Sequence, residues 1–176
     1  MDDQTILRVE GDRLQPALLD RLTDDEPEQI KETLQNSVVS KGRLKRTVLR
    51  DLVWLLNTTA YDVDGALGMY PEVQRSVINY GVPVLSGRVF SGVNWRDLER
   101  QIHAAIVAFE PRILPGTLSV KASVPADLTG HHNLLQFELR GELWSMPYPV
   151  ELLLRSELDL ETGYMKLTDQ LATGGA

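Results

Sequence analysis

Glu110-Pro111-Arg112 sets a carboxylate and a guanidinium two residues apart across a proline. Such a pair offers either proton transfer through Glu110 or a fixed ion pair. Glycosidic hydrolysis needs two carboxyl groups across a cleft, one of which keeps its proton at the working pH. A carboxyl group beside a guanidinium gives its proton up readily, the wrong direction for an acid. Glu138, Glu142 and Glu151 fall at alternate positions of strand-like runs, where they face solvent. His131-His132 falls in a turn, Thr129 to Asn133, between strand-like runs, and two adjacent histidines do not face one metal from a strand; His103 has no histidine or carboxylate at the helical offset of four. Asp62-Val63-Asp64-Gly65 begins like a calcium loop, but the later oxygen ligands and the bidentate glutamate are missing. There is no glycine-rich phosphate loop and no Gly-x-Ser-x-Gly elbow. The residue chemistry therefore points away from an enzyme and implies no cofactor and no metal. Glu110 and Arg112 are left as an ion pair, worth about 0 to 1 kcal/mol if solvated at a helix end, or as a geometric device if other groups hold it.

The elements that must position this tripeptide are legible as periodicity. From Trp95 onward, Leu98, Ile102, Ala105, Ile106 and Phe109 recur at intervals of three and four, which predicts an amphipathic helix with Asn94 as its N-cap. Pro111 has no N–H and pushes Glu110 out of helical geometry, so the helix should stop at Phe109. Residues 43–57 predict a second helix, with Leu44, Val48, Leu52, Leu55 and Leu56 on one face and Ser40-Lys41-Gly42 as a break before it. Between the two, 61–70 reads as a loop. Pro71 to Gly81 reads as a compact helix with proline at its first turn and glycine at its left-handed end, and 82–93 as a second loop.

After Arg112 the period changes from helical to alternating. Leu118, Val120, Ala122 and Val124 mark one strand; Leu135, Phe137, Leu139 and Leu143 mark another, with Gly141 as a possible bulge. Leu152, Leu154, Leu158 and Leu160 mark a third, and Glu161-Thr162-Gly163 turns into a short edge strand, Tyr164 to Leu167. Helices followed by a meander predict an α+β fold, with N-terminal helices packed on one face of a C-terminal, mainly antiparallel sheet.

The chain has 176 residues, no cysteine, 43% hydrophobic residues and a net charge of −7. Its length fits one domain, or one domain with an appendage, and the lack of cysteine agrees with a reducing compartment. No run approaches the roughly 18 apolar residues of a membrane span, and the polar start does not read as a signal peptide; a cytoplasmic location is expected. Residues 1–34 carry ten acidic and four basic side chains, a net −6, so the remainder is almost neutral. This acidic leader holds two short amphipathic stretches, Leu14 to Leu22 and Ile30 to Val38. Lys41, Arg43, Lys45, Arg46 and Arg50 follow it without an acidic residue between positions 35 and 50. That cluster reads as a solvated face or a dock for the leader, and less well as a nucleic-acid patch, because the chain is acidic and the cluster lacks interleaved aromatics. The expected organisation is a partly helical leader (1–42), an α+β domain (43–168) and a loose tail (169–176).

Four blocks occur in order: Thr47-Val48-Leu49-Arg50-Asp51-Leu52-Val53-Trp54-Leu55-Leu56-Asn57-Thr58, Tyr70-Pro71-Glu72-Val73, Ser76-Val77-Ile78-Asn79-Tyr80-Gly81, and Phe109-Glu110-Pro111-Arg112-Ile113. Together they resemble the TssE-type baseplate proteins of type VI secretion, members of the phage baseplate wedge family often labelled "lysozyme-like". The resemblance implies a structural role: joining the baseplate wedge to the contractile sheath and helping to initiate sheath assembly, in a baseplate at the inner membrane. It places Glu110, Pro111 and Arg112 at the wedge's core bundle. The implied partners are TssF and TssG, TssK in the same wedge, and the sheath proteins TssB and TssC, with no nucleic acid and no direct membrane insertion. It also suggests that the C-terminal strands offer an edge to the sheath, for which Glu151, Leu153, Arg155, Glu157, Tyr164 and Lys166 are the expected residues. The alternative attached to the label is a cell-wall glycosidase, for which the carboxylates are poorly suited.

Overall fold

The computed structural model describes residues 17–23, 40–62, 65–84, 94–123 and 134–170. A short helix α1 (Leu18–Leu22) precedes the long α2 (Lys41–Leu56), then α3 (Pro71–Gln74) and α4 (Trp95–Phe109). Strands β1 (Ser119–Ser123), β2 (Leu134–Leu143), β3 (Val150–Asp159) and β4 (Met165–Asp169) form one antiparallel sheet in the order β1-β2-β3-β4. The fold is α+β, with helices first and a meander last.

Both long helices form where their apolar period requires. Leu44, Val48, Leu52, Leu55 and Leu56 are the buried residues of α2, and Leu98, Ile102, Ala105 and Ile106 those of α4. Ser40 is not a break but the N-cap of α2, its Oγ accepting from Arg43 N at 3.2 Å, so the helix starts at Lys41. Asn94 caps α4 in the same way, accepting from Asp97 N at 3.4 Å. The two helical faces and the sheet's inner face share one core, which includes Phe137, Leu139, Leu154 and Leu158.

The sheet departs from expectation in two places. Gly141 makes no bulge: the register of β2 on β3 runs unbroken from Leu134↔Asp159 to Leu143↔Val150. A Cβ at Gly141 would lie 3.3 Å from Ile113 Cγ2, so the glycine admits Ile113 close to the strand. β3 is paired on both sides from Leu154 to Leu158, so the expected edge is corrected at Arg155 and Glu157. Arg155 and Glu157 pair with Glu138 and Gln136 of β2 on one side and with Thr168 and Lys166 of β4 on the other. The edge belongs to β4, with Tyr164 just before it and Lys166 in it. β4 ends opposite Leu154, so Glu151 and Leu153 lie past its last pair. The outer face is charged in rows, Lys121↔Glu138↔Arg155 and Glu157↔Lys166, which favours this register by opposite charge across strands.

The run from Pro71 to Gly81 is not one helix. α3 ends at Gln74, and a separate 3₁₀ turn covers Val77–Asn79. Ser76 interrupts: its hydroxyl donates to Val73 O at 2.8 Å and accepts from Ile78 N at 3.3 Å, competing with a continuous helix. Ile30 to Val38, Asp64, Val124, His131 and His132 lie outside the described residues, as does most of the second loop.

Candidate functional site

α4 delivers Glu110 as the first residue past its last turn, with Glu110 N donating to Ile106 O at 2.8 Å. Proline then forces the chain away from the helix axis. The Glu110 side chain points inward and is only 4% exposed, while Pro111 is exposed. Arg112 folds back on it in a fork: Nε donates to Glu110 Oε1 at 2.7 Å and Nη2 to Oε2 at 2.5 Å. The backbone N of Arg112 also donates to Oε1, at 3.2 Å. The bidentate, charge-assisted geometry fixes the orientation of both side chains, which a solvated pair does not.

The fork does not end there. Arg112 Nη2 also donates to Asp51 Oδ2 at 2.5 Å, 61 positions earlier on α2. Asp51 Oδ1 in turn accepts from Arg50 Nε at 2.9 Å, and Arg50 Nη1 donates to Asp20 Oδ1 of α1 at 2.7 Å. Signs alternate along the chain Glu110, Arg112, Asp51, Arg50, Asp20, so no charge in it lacks an opposite neighbour. Burial works to lower the Arg112 guanidinium, but the hydrogen bond and charge of Glu110, then those of Asp51, outweigh it and push it above the ordinary arginine value. Arg50 is raised by the same balance, burial opposed by Asp20 and Asp51.

The backbone beyond the fork reaches the sheet. Arg112 O accepts from Trp144 N at 2.8 Å, and Leu114 N donates to Glu142 O at 2.8 Å, around an antiparallel bridge between Ile113 and Leu143. One tripeptide therefore fixes the end of α4, the middle of α2 and the end of β2. Glu110 and Arg112 pair with each other and with Asp51, inside this chain. Both carboxylate oxygens of Glu110 are engaged, so it presents no free oxygen to a substrate. Asp51 is not among the site residues that the sequence marks; its signal is the Arg50-Asp51 step at the centre of an apolar helix face.

A second feature lies between α2 and α4. The chain leaves at Thr59 and returns at Val82, where a parallel bridge closes the neck: Ala60 N donates to Val82 O and Val82 N to Thr58 O, each at 2.8 Å. Gly81 sits in the neck at φ +132°, and a Cβ there would lie 2.4 Å from Thr58 O, so only glycine fits. Inside the excursion Asn79 Oδ1 accepts from Asp62 N at 2.9 Å, and Asp62 Oδ1 accepts from Leu67 N at 3.1 Å. On this braced frame Tyr61, Met69, Tyr70, Val77 and Ile78 are all exposed, Met69 by 85% and Val77 by 83%. Tyr80 ends it, its ring edge-to-face with Phe109 at 5.3 Å beside the fork. Sequence periodicity gave no warning of these exposed side chains, because loops carry no period to mark an outward face.

The expected strand-edge residues are scattered. Glu151, Arg155, Glu157 and Lys166 lie on the outer face of the sheet, Leu153 is half-buried and Tyr164 is exposed at the last turn. The β4 edge is partly capped: Asn57 Nδ2 donates to Met165 O and Met165 N donates to Asn57 Oδ1, each at 2.8 Å. At the opposite edge Glu99 of α4 accepts from Ala122 N of β1 at 2.7 Å. Among the described residues no helix is long and apolar enough to cross a membrane, and no group of three or more His, Asp or Glu could hold a metal ion.

Comparison with protein families matches the baseplate wedge protein gp25 over residues 42–148. Comparisons with curated proteins and with solved structures return no match. The family match takes in α2, the braced excursion, α4, the fork, β1 and β2, and ends before β3 and β4. With more than half of the chain matched and the charged joint inside the matched part, the chain belongs to the baseplate wedge protein gp25 family, which is the family of the TssE-like proteins.

Proposed function

We propose that this protein is a structural baseplate component of a contractile type VI secretion system, linking the baseplate wedge to the tail sheath and helping to initiate sheath assembly. The gp25 family is a baseplate wedge family, not a known enzyme family. The observation that carries the reading is the joint: Glu110 and Arg112, inside the family match, lock helices and sheet at one angle with both charges satisfied. An adaptor that sets the geometry between two larger bodies needs such a rigid interior and open apolar surface outside it. Contact with the wedge runs through the exposed Pro111, through Trp144 on the strand end hydrogen-bonded to Arg112, and through the apolar side chains of the 61–80 excursion. Its partners there are TssF and TssG, with TssK in the same wedge. TssB and TssC meet the sheet at β4, where Tyr164 and Lys166 flank the edge and main-chain pairing supplies affinity. The assembly sits at the inner membrane without inserting in it.

Co-purification with TssF and TssG homologues tests this reading. The wild-type protein is expected to be retained, and Met69→Ser with Ile78→Ser to be lost from the complex while keeping its melting temperature. Failure of the folded wild type to associate with either homologue overturns it. For the sheath side, Lys166→Glu is expected to reduce recruitment of TssB and TssC without affecting TssF and TssG.

A further inference from the structure

α1 is attached to the body in an unusual way. Its leucines face out, with Leu18 exposed by 69%, Leu19 by 45% and Leu22 by 75%, whereas its aspartate is buried. The Asp20 carboxylate, 7% exposed, reaches Arg50 at 2.7 Å and lines a groove of about 270 Å³ with Thr23, Arg43, Arg46, Thr47 and Arg50. Leucine burial, the ordinary means of docking a helix, contributes little here; a carboxylate holds this one. On the other wall, Arg43, Arg46 and Arg50 recur at intervals of three and four, so they share one face of α2. Arg50 is paired on both sides, with Asp20 and Asp51, while Arg43 and Arg46 have no ion-pair partner among the described residues.

We infer that this groove is a docking site for an acidic peptide segment of a partner protein, and that α1 occupies part of it through Asp20 until that segment displaces it. Charge complementarity selects the occupant. Removing Asp20 would leave Arg50 with Asp51 alone, so an incoming carboxylate restores the alternation of signs. Arg43 and Arg46 offer two further guanidinium groups that Asp20 does not satisfy, so a segment with three carboxylates gains more than α1 does. Nucleic acid fits less well, because stacking needs an open aromatic face, and Arg50 lies 5.0 Å over the ring of Trp54, the aromatic side chain of this face. The inference stands on the charge geometry and does not depend on the baseplate reading.

The test uses the full-length chain and, as acidic probe, a fluorescein-labelled peptide of its own residues 17–28, Ala-Leu-Leu-Asp-Arg-Leu-Thr-Asp-Asp-Glu-Pro-Glu. By fluorescence anisotropy, Asp20→Asn is expected to bind the peptide at least fivefold more tightly than wild type, because the groove is vacated. Adding Arg43→Gln and Arg46→Gln should weaken binding at least tenfold. Equal binding by wild type and Asp20→Asn, or binding indifferent to the arginine changes, overturns the inference. So does tighter binding of a twelve-nucleotide single-stranded DNA than of the peptide. Independently of any variant, excess peptide should move the Trp54 indole N–H resonance of ¹⁵N-labelled wild-type protein, since Arg50 must exchange partners; an unmoved resonance also overturns it.

Discussion

The charged joint and the 61–80 excursion invert the usual distribution of residue types. At the joint, Glu110 is 3% exposed and belongs to an unbroken series of opposite charges. In the excursion, five large apolar side chains stand in solvent on a backbone closed at its neck. Burying a charge fixes geometry, because the pair is tolerated only in the arrangement that satisfies every lone pair. Exposing apolar groups on a rigid frame does the reverse: it costs the isolated protein stability that an interface can recover. The joint therefore holds the protein's own shape, and the excursion is the apolar surface that we propose for contact outside it.

The largest effect should come from breaking the joint. Arg112→Ala leaves Glu110 buried and unpaired, and is expected to cost about 3 to 5 kcal/mol in chemical denaturation. Glu110→Gln with Arg112→Met should recover part of that loss, since neither residue then carries an unpaired charge; a double variant as unstable as Arg112→Ala would deny that the pair acts as a unit. Next is the neck, where Gly81→Ala forces a Cβ into Thr58 O and should cost about 2 kcal/mol or more. Asn57→Ala removes two hydrogen bonds to the β4 backbone, an expected loss of about 1 to 2 kcal/mol with faster amide exchange at Met165. Met69→Ser with Ile78→Ser should change stability by no more than about 0.5 kcal/mol while reducing wedge assembly; a large stability loss would make the excursion part of the core and erase the comparison.

The smallest effect belongs to Tyr80, which touches both regions. Its phenol is raised by burial first and then by the charges of Asp51 and Glu110. The folded state thus favours the neutral phenol. That contribution is complete below the ordinary tyrosine pKa of about 10 and is lost as pH climbs through the raised value in the folded protein. Wild-type stability is expected to fall more steeply above pH of about 10 than that of Tyr80→Phe, as read from melting temperatures across the alkaline range.

Much of this was legible in residues taken alone. The five apolar positions of α2 are its buried residues, the four strands follow the alternating runs, and α4 ends at Phe109 because Pro111 cannot continue it. Periodicity reports such features since neighbouring residues share one element, and the 3.6 and 2 residue repeats are properties of that element alone. Which groups meet across the fold is another matter. Nothing near Glu110 in the chain names Asp51 as the second acceptor of Arg112, nothing in Val150 to Leu160 says that this strand is interior, and Gly141 looks like a bulge until Ile113 is seen against it. The sequence determined the two long helices, the strands and the place where one gives way to the other. Tertiary structure decided what Arg112 binds and which strand is left at the edge, because both depend on where distant parts of the chain return.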